Sequence, residues 1–372
     1  MEEQSQKYES IHYHTYLGLD KILTAQAPRS ELFQDVEAHE EMLFIIVHQS
    51  YEIWFKQILH ELDSVVDMFH HDKVDEMNIG TAVIRLDRVK EILQLLIDHI
   101  GIMETMTPMD FLDFRNLLIP ASGFQSYQFR KIENILGLPN DQRMTYGNRH
   151  YGADFSEVQN EELEYIAKEW NLFMVVEDWL ERTPFLKFKD FQFLDYYKKS
   201  LERMAYNQKQ AIERANYLSD EEKAFRLRMV GSSDSFYQSI LNPEVHRKMV
   251  AEGKQRLNYP ATLAALMINL YNEEPLLHLP HRFLLAIVDI DELLTNWRYR
   301  HAQMVLRMLG RKVGTGGSSG HDYLRETAAR HKIFTDLHNI STLLIPRSEL
   351  PELPADLKKE LGFYYTSSKD KY

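Results

Sequence analysis

An all-α fold is what this 372-residue sequence predicts, and three observations predict it. Apolar residues recur every three or four positions over long stretches, glycine and proline are sparse at 15 and 12, and no run alternates as a half-buried strand does. Across 37–69, Val47, Tyr51, Trp54, Ile58, Leu62, Val65 and Phe69 mark one face of a helix about 50 Å long. A second helix spans about 81–100 through Val83, Leu86, Val89, Ile92 and Leu96. Thr107-Pro-Met-Asp110 is a helix start, with a capping hydroxyl and a proline at the first helical position, and Phe111, Phe114 and Leu118 follow as its apolar edge. Ile119–Gln125 breaks that helix, another covers about 126–136 with Gly137 as its stop, and 138–155 reads as loop. Ser156-Glu-Val-Gln159 is a capping box, expected to open one helix running to Arg182. The stretch 191–257 is richer in Lys, Glu and Gln, with helix starts at Ser219 and Asn242-Pro243, and reads as a charged helical insertion. Helices then follow at 260–270, at 281–309 with Gly310 as a stop, and at 323–337 after a glycine loop at 314–320.

Composition narrows the function. Forty-three Lys and Arg stand against 56 Asp and Glu, and the net charge of -13 disfavours both nucleic acid and an anionic membrane surface. The absence of cysteine excludes disulfides, Cys-ligated zinc, iron–sulfur clusters, thiolate-bound haem and cysteine nucleophiles. Any metal must rest on His or carboxylate. With neither a leader-like N-terminus nor a run of 18 apolar residues, the expectation is a cytoplasmic protein.

Sixteen histidines invite a metal reading, but no HExxH and no His-and-carboxylate cluster at helical spacing occurs. His301 stands apart, because Trp297, Met304, Val305 and Met308 surround it on one helical face. Arg298, at i−3, would disfavour an imidazolium there. The residues leave two readings open, a core histidine bonded to a carbonyl or the axial ligand of a haem. His48 has Phe44 one turn before it and Glu52 one turn after, and is either a partner of Glu52 or a polar group inside a pocket. Arg115 follows Phe111 on an aromatic helix, where it pairs with Asp110 or Asp113 or meets a planar carboxylate. Gly314-Thr-Gly-Gly-Ser-Ser-Gly320 follows a helix and lacks the Lys-Ser/Thr ending of a P-loop, leaving a flexible linker or a loop folded over an anionic group.

Taken together, Tyr13-His-Thr-Tyr-Leu-Gly-Leu-Asp20, Phe44-Ile-Ile-Val-His-Gln-Ser-Tyr-Glu52, Asp110-Phe-Leu-Asp-Phe-Arg115, Pro120-Ala-Ser-Gly-Phe-Gln-Ser126, Trp297-Arg-Tyr-Arg-His301 and the glycine loop resemble the tryptophan 2,3-dioxygenase family. The resemblance runs from about Tyr13 to Pro346. It implies ferrous haem b with His301 as the axial ligand of its iron, and Trp297, Val305, Ser122 and Gly123 against the cofactor. It implies His48 as the distal histidine that meets the indole N–H of L-tryptophan, with Phe44 packed on the indole, Phe111 among the substrate-binding residues and Arg115 and Thr315 on the substrate carboxylate. Phe111 resembles the animal members, where some bacterial ones carry Tyr, and the insertion looks animal-type as well. Tyr13, Tyr16 and Leu17 match residues that reach into a neighbour's pocket, which implies a homotetramer with shared active sites. The implied reaction opens the indole C2–C3 bond with both atoms of O₂, giving N-formyl-L-kynurenine at the head of the kynurenine pathway. The alternative is a haem mono-oxygenase of the same fold acting on another aromatic amino acid. The expected organisation is an arm at 1–36, a core of 37–190 and 258–346, the insertion at 191–257 and a C-terminal segment at 347–372.

Overall fold

The computed structural model describes residues 10–33, 37–143, 155–310, 312 and 320–363. Three short helices, α1 (Tyr13–Leu17), α2 (Leu19–Ile22) and α3 (Ser30–Phe33), precede the frame of the molecule. That frame begins with α4 (Glu40–Phe69) and α5 (Glu76–Met103), whose shared apolar stripes pair them along their length. Next come α6 (Pro108–Arg115), α7 (Tyr127–Leu136), α8 (Glu157–Lys168) and α9 (Leu172–Glu181). A two-residue hairpin, β1 (Lys187–Phe188) with β2 (Phe191–Gln192), leads into α10 (Phe193–Arg214), α11 (Asp220–Leu241) and α12 (Pro243–Ala251). The chain returns through α13 (Tyr259–Leu270) and α14 (Pro275–Leu309), and ends in α15 (Gly320–Arg330), α16 (Thr335–Leu343) and α17 (Ala355–Leu361). The fold is all-α.

The core lies where α4, α5 and α14 run together. Leu62, Val65 and Phe69 meet Leu86, Val89 and Leu96, and Phe283, Ile287 and Ile290 close the third side, all buried. Phe69 stacks on Phe283 at 4.5 Å, and the Trp179 ring stands edge-on to both. Each such side chain contributes roughly 1.5–3 kcal/mol by leaving water, before the entropy of ordering it. A smaller cluster of Val47, Met103, Met106, Phe114 and Met308, flanked by Phe44, Phe111 and Met304, closes one end of the frame.

Several expected boundaries move. The helix expected from Ser156 to Arg182 is two helices, because Asn171 accepts the Met174 N–H at 3.1 Å and starts α9 afresh. The same Asn171 explains Gly137, which ends α7 at φ 94°, where a Cβ would come within 2.5 Å of the Asn171 oxygen. Helix α14 begins at Pro275, six residues before the expected start, and carries Pro280 inside it. One missing N–H near the end of a 35-residue helix is outweighed by the burial of Leu277 and Pro280. The helix expected at 323–337 is also two. The buried Asp291 carboxylate accepts the N–H groups of Ile333 and Phe334 at 3.0 and 3.1 Å, pulling that stretch out of helical bonding.

The charged stretch 191–257 has an apolar root. Phe193, Tyr197, Leu201, Ile240 and Leu257 are buried in the main core, and the Tyr197 hydroxyl donates to the Leu343 carbonyl at 2.5 Å. Leu353, Leu357 and Leu361 bring the C-terminal segment into the same core. At the other end, Glu41 accepts the N–H groups of Arg29 and Ser30, each at 2.8 Å, which fastens the arm beside the start of α4.

Candidate active site

Between α4, α6, α7, α14 and α15 lies a cavity of about 310 Å³. Helical spacing on α4 delivers Phe44, His48 and Glu52 to it from successive turns, and α14 delivers Trp297, His301 and Val305 in the same way. Helix α6, started by the expected Thr107/Asp110 capping box with Pro108, brings Phe111 and Arg115. The break after α6 brings Ser122 and Gly123, and α15 brings Tyr323.

The two imidazoles are distinct in chemistry. His48 Nδ1 lies 2.7 Å from the Phe44 carbonyl, an acceptor only, so Nδ1 carries the proton and Nε2 keeps its lone pair for the cavity. Burial among protein groups lowers the His48 pKa, against the Phe44 carbonyl and the Glu52 charge, which both raise it. The ring sits 4.1 Å from that of Phe44, which in turn stacks near Phe111 at 5.8 Å. His301 is also held neutral, its pKa lowered to about 4 by burial first and by the neighbouring His48 second. Arg298 was expected to supply that effect. Its guanidinium instead turns to Glu133 at 3.1 Å and to the His331 carbonyl at 3.0 Å. His301 Nδ1 is buried without a hydrogen-bond partner.

Two of the carboxylates that spacing raised as partners are engaged by other groups. The Glu52 carboxylate accepts from Ser126 Oγ at 2.6 Å and Gln128 Nε2 at 2.8 Å, and His48 bonds elsewhere. The Asp110 carboxylate accepts the N–H and hydroxyl of Thr107. Arg115 is the cation that α6 turns toward the aromatic side of the cavity. A Cβ built on Gly123 meets nothing within 4 Å, which leaves that loop backbone open to a close ligand.

One wall was not foreseen. Glu133 of α7 is fully buried, and burial alone would raise its pKa. Arg130 at 2.8 Å, His331, Arg298 and Arg143 together hold it well below the usual carboxylate range. Three guanidiniums thus share one carboxylate beside the cavity, and Arg130 Nε and His331 Nε2 are buried without partners. Such an excess of buried cation is suited to a second anionic group. The sequence signal was present as Arg130 and Glu133 at i,i+3, but their convergence with Arg298 and His331 is a tertiary event.

The remaining expected residues lie elsewhere. Tyr13 and Tyr16 are each 71 % exposed and Leu17 39 %, so α1 does not bury this face on its own chain. Thr315 and 314–319 of the glycine loop lie outside the described residues. Among the described residues no group of three potential ligands gathers for a bare metal ion, and no helix is long and apolar enough to cross a membrane.

A helical frame enclosing an aromatic cavity, with two neutral imidazoles and an arginine turned inward, defines a small-molecule enzyme, and the comparisons make it an oxidoreductase. The chain belongs to the tryptophan 2,3-dioxygenase family, whose model matches residues 2–344. It is 47% identical to a tryptophan 2,3-dioxygenase of Bdellovibrio bacteriovorus, covering 96% of this chain and 100% of that protein. Identity is 45% to that of Alteromonas mediterranea, over 96% of this chain and 98% of the relative. It is 43% to that of Dictyostelium discoideum, over 96% and 90%. Because two bacterial relatives match almost end to end, the length of the chain through 191–257 does not mark an animal protein.

Proposed function

We propose that the protein is a haem-dependent dioxygenase that cleaves the indole C2–C3 bond of L-tryptophan with O₂ to give N-formyl-L-kynurenine. The observation that carries this reading is the gathering of His301, His48, Arg115 and the Phe44–Phe111 pair around one cavity of a chain in this family. The residues fit haem b. His301 offers a neutral imidazole on an apolar Trp297, Met304, Val305 face, the Ser122–Gly123 backbone leaves room for a flat macrocycle, and the cationic wall at Arg130 and His331 suits its carboxylates. When bound, haem supplies the ferrous iron that activates O₂.

The chain's own residues then act by position and polarity. Arg115 takes the substrate carboxylate, aided by Thr315, with a planar guanidinium that a carboxylate matches. Phe44 and Phe111 flank the indole and exclude water. His48 Nε2 accepts the indole N–H, while Nδ1–H on the Phe44 carbonyl fixes the ring's orientation. His48 orients the substrate without having to deprotonate it. The exposed α1 face carrying Tyr13, Tyr16 and Leu17 is suited to close a neighbour's cavity, and the working form in this reading is a cytoplasmic homotetramer.

The haem-loaded protein is expected to convert L-tryptophan to a product heavier by two oxygen atoms, and His301→Ala to lose the haem absorption band. A product heavier by one oxygen favours the mono-oxygenase alternative. A normal band in His301→Ala removes the ligand assignment. For the shared site, a deletion of 1–18 mixed with Arg115→Met chains restores part of the activity in verified hybrid oligomers. Activity no greater than the sum of the two parents removes it.

A further inference from the structure

The family resemblance assigns no role to Glu52, yet its carboxylate is the point where two walls of the cavity are tied together. Glu52 lies one turn after His48 on α4. Its Oε1 accepts the Ser126 hydroxyl at 2.6 Å, its Oε2 accepts Gln128 Nε2 at 2.8 Å, and the same amide nitrogen donates to the Glu52 carbonyl at 2.7 Å. Ser126 is the N-cap of α7, and its Oγ also accepts the Phe129 N–H at 3.3 Å. The hydroxyl proton is thereby committed to Glu52 and a lone pair to the helix. One residue back, the Ser122–Gln125 turn closes on itself through its own capping box and joins Ser126 by a 3.2 Å bond from the Ser126 N–H to the Gly123 carbonyl. Glu52, Ser122, Gly123 and Ser126 all line the cavity.

We propose that Glu52 is a positioning residue, a charged latch that fixes the Ser122–Gln125 turn against the helix carrying His48 and so sets the width of the substrate pocket. The proposal rests on the functional reading above. A carboxylate is suited to the task, because hydrogen bonds to an ionised acceptor are short and roughly twice as strong as neutral ones. Its position at the start of α7 adds the attraction of the helix N-terminus. A neutral amide at 52 can still receive Ser126 but turns an N–H₂ toward Gln128, so one of the two ties is lost.

Haem-loaded wild type, Glu52→Gln, Ser126→Ala and their double variant are compared. Glu52→Gln is expected to raise KM for tryptophan about tenfold with kcat within about threefold and an unchanged haem band, and to speed hydrogen exchange at the 121–126 amides about tenfold. Ser126→Ala, a milder change that keeps the test open should Glu52→Gln fold poorly, does the same. The double variant is no worse than the worse single one. Unchanged KM and hydrogen exchange in Glu52→Gln, or additive losses in the double variant, overturn the latch. Failure of the wild type itself to turn over tryptophan overturns the functional reading instead, so the two failures are told apart.

Discussion

The cavity has two walls built on opposite principles. On one, Phe44, Phe111 and Phe114 meet at ring separations of 5.4 to 5.8 Å, with His48 and Arg115 as the polar groups turned to the space among them. On the other, Arg130, Arg298 and His331 converge on Glu133, all of them buried. The aromatic wall is apolar and separates its charges widely, so losing one group there changes what binds more than whether the chain folds. The ionic wall is a network in which three guanidiniums and His331 depend on one carboxylate, so losing that carboxylate strands buried charge. Loss of a polar group thus weighs mainly on binding at the aromatic wall and mainly on folding at the ionic wall.

The largest expected effect breaks the ionic wall. Glu133→Gln leaves three guanidiniums without their shared carboxylate and should destabilise the protein by about 3–5 kcal/mol, read from urea unfolding. The wild type should also be acid-sensitive in a way the variant is not. Since the folded pKa of Glu133 lies below its unfolded value, its contribution is complete above the ordinary carboxylate pKa and is lost as pH falls toward the folded one. Equal acid slopes in the two proteins would mean that the network does not carry this load.

On the aromatic wall the corresponding change is Arg115→Met, which should leave the unfolding midpoint nearly unmoved yet weaken tryptophan binding by about 2–3 kcal/mol. Tryptamine, lacking the carboxylate, should bind both proteins alike, and an equal loss for both ligands would deny Arg115 its role. Smaller again is His48→Ser, which removes one hydrogen bond to a neutral N–H. Turnover should fall about tenfold to a hundredfold without vanishing. Complete inactivity with haem and tryptophan both bound would recast His48 as an obligatory base.

Much of the aromatic wall was legible in the sequence. Phe44 with His48, Phe111 with Arg115, and Trp297 with His301 are each four residues apart, and that interval alone puts both members of a pair on one helical face. The local starts and stops were equally legible at Thr107, Ser126, Gly137, Ser219, Asn242 and Gly310, because a cap bonds within three or four residues of itself. The aromatic partners, by contrast, carry no signal for the ionic wall. Glu133 meets Arg298 across 165 positions and His331 across 198.

What the sequence by itself determined is therefore whatever closes within a helical turn: the all-α class, most caps, and which residues share a face. The tertiary structure decided what depends on distant partners. Asp291 broke the helical run 42 and 43 residues away by binding the N–H groups of Ile333 and Phe334, and the oxygen of Asn171, the cap of another helix, leaves no room for a Cβ at Gly137. It also turned Arg298 away from His301 and Glu52 away from His48. A buried charge takes the partner that best replaces lost water, and helix packing, not sequence spacing, decides which partner is within reach.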